Sequence, residues 1–312
     1  MIALAREPFP DLARRLEPIF ARHLVTARGT ERHLATVVAE ALSHPGRLVR
    51  ATLVWRTLTG LGRNTAFADS LACAVEYFHI ASILLDDLPC MDDAALRRGR
   101  PCPHLEHGDA TVILAALAFI NRAYALIWRE LAPLPLQARL EANDFLDREL
   151  GVGGILNGQA RDLRFGEQPP SSREASRIAV GKTVALFRLA LVFPALVAGA
   201  SASELKLLDR LCVNWGLAYQ ARNDFDDVAP GPNGRDSASR DAALARPNLL
   251  LVLGIKAFSR RLHKLTRQAS GDIEALVRLN SAWHFLRDTQ DALFSFTADP
   301  TGPALFSPTS PG

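Results

Sequence analysis

Apolar residues recur at three- and four-residue spacing along almost the whole chain. No stretch alternates apolar and polar residues as a half-buried strand must. That single periodicity restricts the fold to an all-α class. It predicts helices over 31–42, 48–59, 66–87, 109–131, 136–164, 172–196, 203–227, 248–268 and 273–297. Thr30 serves as the first N-cap, and His44-Pro45-Gly46 stops that helix. Pro89 ends the third helix, and Pro133 and Pro135 follow the fourth. The fifth is read as continuous through Gly151, Gly153 and Gly154. Lys182 and Thr183 are read as opening a helix of their own.

No internal repeat or interdomain linker interrupts this series, so residues 1–297 read as one large bundle of roughly ten helices. The tail 298–312 is rich in Pro, Ser, Thr and Gly and reads as disordered. The start MIALAREPFP carries Arg6, Glu7 and Pro8 where a signal peptide needs an apolar run. The most apolar stretches, 111–128 and 184–200, contain Asn121, Arg122, Arg188 and Pro194. They fall short of the ~20 uninterrupted apolar residues of a membrane span, so no transmembrane segment is expected.

Of the 312 residues, 36 are basic and 33 acidic, a net charge of +3 without a basic cluster. That argues against a nucleic-acid partner. The four cysteines form no C-x-x-C pair. Cys73 and Cys212 sit in apolar helical contexts as packing residues, and a reduced, cytoplasmic setting is expected.

Against this background two acidic clusters stand out. The helix over 66–87 ends in Asp86 and Asp87, and Asp92 and Asp93 follow the turn at Pro89. Four carboxylates so close repel one another unless a cation lies between them. Farther on, Gln220, Asn223, Asp224 and Asp227 stand at i, i+3, i+4 and i+7, one stripe on a largely apolar helix. Oxygen donors on two buried helices suit a hard divalent cation, Mg²⁺ above all. Cations accompany both clusters: Arg47 and Arg50, Arg97 and Arg98, Lys182, Arg235 and Arg246. Arginine forks suit phosphate oxygens, so the pattern predicts a cavity for a diphosphate. No G-x-x-x-x-G-K-[ST] is present, which excludes a nucleotide P-loop.

In chain order the sequence carries HPGRLVR, AVEYFHIASILLDD, DDLPCMDDAALRRGRPCPH, NGQARDL, GKTVALF, YQARNDFDDV and GRDSASRDAALARPNLLLVLG. Together they resemble the motifs of trans-isoprenyl diphosphate synthases, most of all the bacterial geranylgeranyl diphosphate synthases of carotenoid-type pathways. The resemblance runs from about Gly46 to Gly254. It implies the isoprenoid synthase fold, a helical bundle around a deep central cavity, as a homodimer.

It also implies a division of roles. Asp86, Asp87 and Asp92, with Asn223, Asp224 and Asp227 opposite, would bind Mg²⁺, with Mn²⁺ as a substitute. Arg97, Lys182, Arg235 and Arg246 would hold an allylic diphosphate. Arg47, Arg50, His79 and Arg98 would hold isopentenyl diphosphate. Thr183 and Gln220 would face the developing carbocation. Ala81 and Ser82, about one turn before Asp86, are small where a bulky aromatic would stop a growing chain. The expected product is therefore geranylgeranyl diphosphate, with farnesyl diphosphate as the alternative, and Ala81→Phe is expected to shorten it.

Some positions depart from the pattern. Leu48 stands where an arginine is common. Asn223 replaces the first aspartate of the second motif, and Arg replaces Lys at 47, 235 and 246. Two rival readings share the fold: a class I terpene cyclase and a non-catalytic partner subunit. Gly231 replaces the cyclases' metal-binding Glu, and the first aspartate motif is intact, where a non-catalytic partner would have lost it. Other aromatic and histidine positions, such as Phe187, Phe193, Phe225, His23, His33 and His44, are read as core, wall or surface.

Overall fold

The structure, a computed structural model, describes residues 16, 18–20, 22, 23, 25–44, 46–167, 171–228 and 248–294, and of 226–228 the backbone alone. Arg235, Arg246, the side chain of Asp227 and the tail 298–312 therefore lie outside the described residues.

In chain order, α1 spans Arg32–Ser43, α2 Val49–Gly60 and α3 Thr65–Asp86. A two-stranded hairpin follows, β1 Leu96–Arg97 and β2 Arg100–Pro101, then the single turn α4 His104–His107. Next come α5 Asp109–Leu131, α6 Leu136–Leu150 and α7 Ile155–Leu163. Ser172–Ala179 forms α8, which runs through a π-turn, Val180–Val184, into α9 Ala185–Ala198. The remainder is α10 Ala202–Val228, α11 Leu249–Leu253, α12 Ile255–Leu279 and α13 Phe285–Phe294.

Helix α3 is apolar nearly all round, so it is buried between α5 and α2 rather than lying on the surface. Helix α9 packs on α2, α6 and α10, and α10 packs on α12. The core is continuous, with Tyr77, Phe119, Phe187, Phe193, Trp215 and Trp283 among its fully or almost fully buried side chains. Ser201 and Glu204 form a reciprocal capping box at the start of α10 (Ser201 N–H to Glu204 Oε2, 2.8 Å). Glu204 also accepts from Trp283 Nε1 at 2.8 Å, which ties the C-terminal segment to α10.

Several elements differ from the periodicity reading. Glu31, not Thr30, caps α1, accepting from Leu34 N–H at 3.0 Å; Thr30 closes the turn before it onto Ala27. The expected helix 136–164 is broken at Gly151–Gly154, where a Cβ on Gly151 or Gly154 would collide with backbone carbonyls of α6. Gly254, at φ +72°, splits 248–268, and α12 then continues through Gly271 to Leu279. The hairpin is strand structure too short for alternation to reveal. Lys182 and Thr183 lie inside a continuous helical run, within the π-turn, and do not open a helix.

Three helical runs, Thr65–Asp86, Asp109–Leu131 and Ser172–Ala198, are long and apolar enough to cross a membrane by length and composition. The first and third are mostly covered within the fold. The middle one, α5, leaves Leu114, Leu117 and Trp128 exposed. Cys73 and Cys212 are buried, as their apolar contexts predict.

Candidate functional site

The C-terminus of α3 builds one side of the site. Toward the end of α3, His79, Ser82, Ile83 and Asp86 are half-buried and spaced i, i+3, i+4 and i+7, one stripe facing a cleft, with Leu85 half-buried off it. Ala81 is off that stripe and only 1% exposed, packed into the core. Of the two small residues read as setting chain length, Ser82 is the one presented to the cleft. Its hydroxyl donates to the His79 carbonyl at 2.8 Å.

After Asp86 the chain folds back under the helix end. Asp92 N–H donates to the Asp86 carbonyl at 2.9 Å, and Ala94 N–H to that of Asp87 at 3.2 Å. This return brings Asp92 beside Asp86. Asp87 is turned instead toward the hairpin, where Arg97 Nε donates to both its carboxylate oxygens at 3.0 and 3.1 Å and Nη2 adds a third bond. Arg97 thus neutralises Asp87, contrary to a reading in which the arginines serve only phosphate.

The hairpin turn is Arg98-Gly99, with φ of +53° and +77°, the all-positive geometry of a tight two-residue turn. It swings Arg98 back onto the segment before α2. The Arg98 guanidinium donates to the His44 carbonyl at 3.3 Å and lies flat against Gly46, where any Cβ would collide with it. Gly46 is itself at φ +76°, a conformation that favours glycine, while Arg98 could swing aside from an added Cβ. Leu48, Asp93 and Arg98 are the non-glycine residues at positive φ among those described. Leu48 buries its side chain at the head of α2, which accounts for an apolar residue at that position.

The basic residues read from sequence do converge. Arg50 Nη1 lies 3.0 Å from His79 Nε2, and its guanidinium sits 5.9 Å from the Phe187 ring centre. Arg98 is close enough to Arg97, Glu76, Tyr219 and Arg47 for each to act on its charge. His79 is held well below the usual histidine range, by burial first and then by Arg50, Arg98 and Arg97. It is therefore neutral. With Nε2 accepting from Arg50, the ring proton belongs on Nδ1, which is buried and has no partner. Arg50 and Arg98 beside one neutral histidine, with Arg47 acting on Arg98, make a pole built for an anion.

Lys182 comes to the site on the π-turn. Its Nζ donates to Asp162 Oδ2 at 2.6 Å. Burial works against its charge, but Asp86, Asp162 and Asp92 outweigh burial and raise its pKa. The turn is admitted by two glycine contacts: a Cβ on Gly158 would collide with the Gly181 and Lys182 backbone, and one on Gly216 with Val184. Beside Lys182, Thr183 Oγ1 donates to Gln220 Oε1 at 3.0 Å, and Gln220 Nε2 donates to Asp224 Oδ1 at 2.9 Å. Asp224 is buried and its other oxygen accepts from Leu249 N–H at 2.7 Å, capping α11. Thr183 and Gln220 therefore meet where the π-turn lies against α10. Asn223 is half-buried on the same helix.

Three groups of this site went unread in the sequence. Asp162 holds Lys182. Gln159, one turn earlier on α7, donates to Met91 Sδ at 3.7 Å and leaves a buried oxygen without a partner. Glu76 is wholly buried behind Arg50 and accepts from Ala51 N–H at 3.2 Å. The quoted NGQARDL segment was the available signal for the first two.

A divalent cation fits the acidic pole by its chemistry. Burial pushes the Asp86 carboxyl up to about 6, Asp92 and Asp162 add to the rise, and Lys182 and Arg97 only partly oppose it. A buried carboxylate short of positive charge is a natural oxygen donor for such an ion. Among the described residues, no three His, Cys, Asp or Glu side chains converge on one point. Each element would then supply one or two donors, and a bound anion and water the remainder, the usual arrangement for Mg²⁺.

Comparison with known proteins agrees with this geometry. Residues 31–281 match the family model described as polyprenyl synthetase. The chain is 33% identical over 286 residues to a geranylgeranyl diphosphate synthase of Pantoea ananas, covering 91% of each chain. It is 31% identical to a farnesyl diphosphate synthase of Geobacillus stearothermophilus, covering 77% of this chain and 82% of that one. A geranyltransferase of Helicobacter pylori, complexed with magnesium and isoprenyl diphosphate, has the same fold, with a TM-score of 0.80 at 22% identity over 95% of this chain and all of that one. The all-α bundle, the ordered motifs and these matches together make the chain a member of the polyprenyl synthetase family.

Proposed function

We propose that the protein is a short-chain trans-prenyltransferase that joins isopentenyl diphosphate to an allylic diphosphate, with geranylgeranyl diphosphate as its end product. The observation that carries this reading is the pair of poles on one cleft. The acidic pole of Asp86 and Asp92 adjoins Lys182, and the separate pole of Arg47, Arg50, Arg98 and neutral His79 holds a second anion. An enzyme acting on a single diphosphate has no use for the second pole.

Asp86, Asp87, Asp92, Asn223, Asp224 and Asp227 would hold Mg²⁺, with Mn²⁺ as a substitute; the ion supplies charge stabilisation for the departing diphosphate. Lys182, Arg97, Arg235 and Arg246 would bind the same diphosphate, where negative charge grows as the allylic carbon–oxygen bond breaks. Thr183 and Gln220, joined to Asp224, present fixed polar oxygens toward the cation left behind. Arg50, Arg47, Arg98 and His79 orient isopentenyl diphosphate so that its double bond attacks that carbon. The new carbon–carbon bond forms, and the released diphosphate takes the proton lost from the condensed chain. The apolar side chains around the cleft exclude water that would otherwise capture the cation.

A homodimer is part of the same reading. Leu114, Leu117 and Trp128 leave an exposed apolar face on α5 suited to a second copy of the chain.

An assay with Mg²⁺, isopentenyl diphosphate and dimethylallyl, geranyl or farnesyl diphosphate in turn tests the activity. Elongated diphosphates that depend on isopentenyl diphosphate are expected. A hydrocarbon or alcohol formed without isopentenyl diphosphate, or no product with any allylic substrate, would overturn the reading.

A further inference from the structure

Behind the π-turn, on the side away from Lys182, lies a cavity of about 990 Å³ that the proposed reaction does not use. Gly158 and Gly181 form part of its floor, and Gly153 and Gly154 open it at the start of α7. Its walls carry six arginines, Arg148, Arg161, Arg173, Arg177, Arg188 and Arg261. The volume is that of a small-molecule site.

Five of those arginines are held by an ion pair or hydrogen bond. Glu149, 4% exposed, takes Arg148 at 3.0 Å and Arg188 at 3.5 Å, and Asp209 takes Arg188 Nε at 2.7 Å. Glu174 takes Arg161 at 2.5 Å and Arg177 at 3.3 Å. Arg261 donates to Ser176 Oγ at 2.7 Å, and Arg173 makes no ion pair with any described residue. Three carboxylates thus face six guanidinium groups, leaving three positive charges over. Each carboxylate orients its arginines without cancelling the set. Fixed, converging guanidinium forks over a glycine floor suit a ligand carrying several phosphate oxygens. The α7 N-terminus, which has no side-chain cap, opens on the same space and adds unbonded backbone N–H groups.

We propose that this cavity is a second anion site, separate from the catalytic cleft, for a compact ligand bearing two or more phosphates. Free polyphosphate anions and phosphorylated lipid headgroups share that chemistry. The catalytic cleft lies across the Gly158–Gly181 contact, so the two sites can be emptied independently.

The test uses the full chain with EDTA present, so that diphosphate binding dependent on a divalent ion is suppressed. Inorganic tripolyphosphate is titrated by calorimetry in one arm. In the other, flotation is measured with phosphatidylcholine vesicles carrying phosphatidylinositol bisphosphate. Binding in either arm is expected. It should persist in Lys182→Ala and weaken about tenfold for each arginine removed in Arg173→Gln and Arg173→Gln/Arg177→Gln, the worth of one charge-assisted hydrogen bond apiece. Both arginines are exposed, and unchanged thermal unfolding would verify that the variants fold. Binding to vesicles alone would assign the headgroup source. No binding in either arm, or binding that the arginine variants leave intact, would overturn the proposal.

Discussion

Glu76 shows how one buried group couples this site to pH. It lies three residues before His79 on α3 and is wholly covered. Burial lifts its carboxyl to about 7 from 4.5, against the pull of Arg50, of the Ala51 N–H and of Arg98. The folded state therefore holds this proton where the unfolded chain releases it. Stability should fall as pH rises from about 4.5 to about 7. In Glu76→Gln that decline should flatten, as read from urea midpoints across the window; midpoints that track the wild type would show that Glu76 is not the group responsible. Ser82 and Ala81 separate in the same way at this scale. Ser82→Phe places a ring in the cleft and should shorten the longest product, measured by chain-length analysis. Ala81→Phe overfills a packed position and should cost about 1–3 kcal/mol, visible first as a lower Tm. A shortened product from Ala81→Phe at unchanged Tm would contradict that distinction. Residue type and motif spacing were enough to single out Asp86, Lys182, Thr183 and Gln220. They could not reveal Asp162, because a lone aspartate on an amphipathic helix looks like a solvent-facing residue. Only the crossing of α7 by the π-turn brings its carboxylate 2.6 Å from Lys182.

At the scale of elements, the π-turn Val180–Val184 matters most. It adds a residue to one helical turn and so changes which side chains share a face. Lys182 and Thr183 point to the cleft, while Gly181 meets Gly158. Gly158→Ala would drive a methyl into the Gly181 and Lys182 backbone. The expected result is a loss of about 1–3 kcal/mol in stability together with a larger fall in kcat than in substrate affinity, since Lys182 is displaced. Unfolding curves and steady-state kinetics on the same preparation check both; a variant with native Tm and native kcat would remove the contact's importance. Helix periodicity cannot signal such a turn, because the apolar pattern of 172–198 continues through it. The same continuity hid the break at Gly151–Gly154 and the stop at Gly254. Proline marked helix ends more dependably: Pro89 follows α3 within three residues of Asp86.

For the molecule as a whole, the exposed face of α5 has a consequence for assembly. Leu117 is 54% and Leu114 55% exposed on a helix whose opposite side packs against α3. Leu117→Glu should convert the proposed dimer to monomer, read by light scattering coupled to size exclusion, while the helical signal stays unchanged because the side chain is outside the core. A wild-type chain that is monomeric at micromolar concentration would remove the dimer altogether. The bundle itself was legible in advance: helical spacing throughout and almost no strand pattern leave little but helices packed on helices.

Sequence alone determined the all-α class, the two acidic clusters and the arginines that accompany them, because those depend on periodicity and residue type, which are local properties. Tertiary structure decided the rest. It gave Arg97 to Asp87 and Lys182 to Asp162, set His79 neutral beneath Arg50, and turned Ser82 to the cleft and Ala81 to the core. It also gathered six arginines from five helices around a glycine floor. Each of those outcomes depends on how far apart two helices lie and how they are rotated, and the spacing of residues along one chain does not encode either quantity until the helices pack.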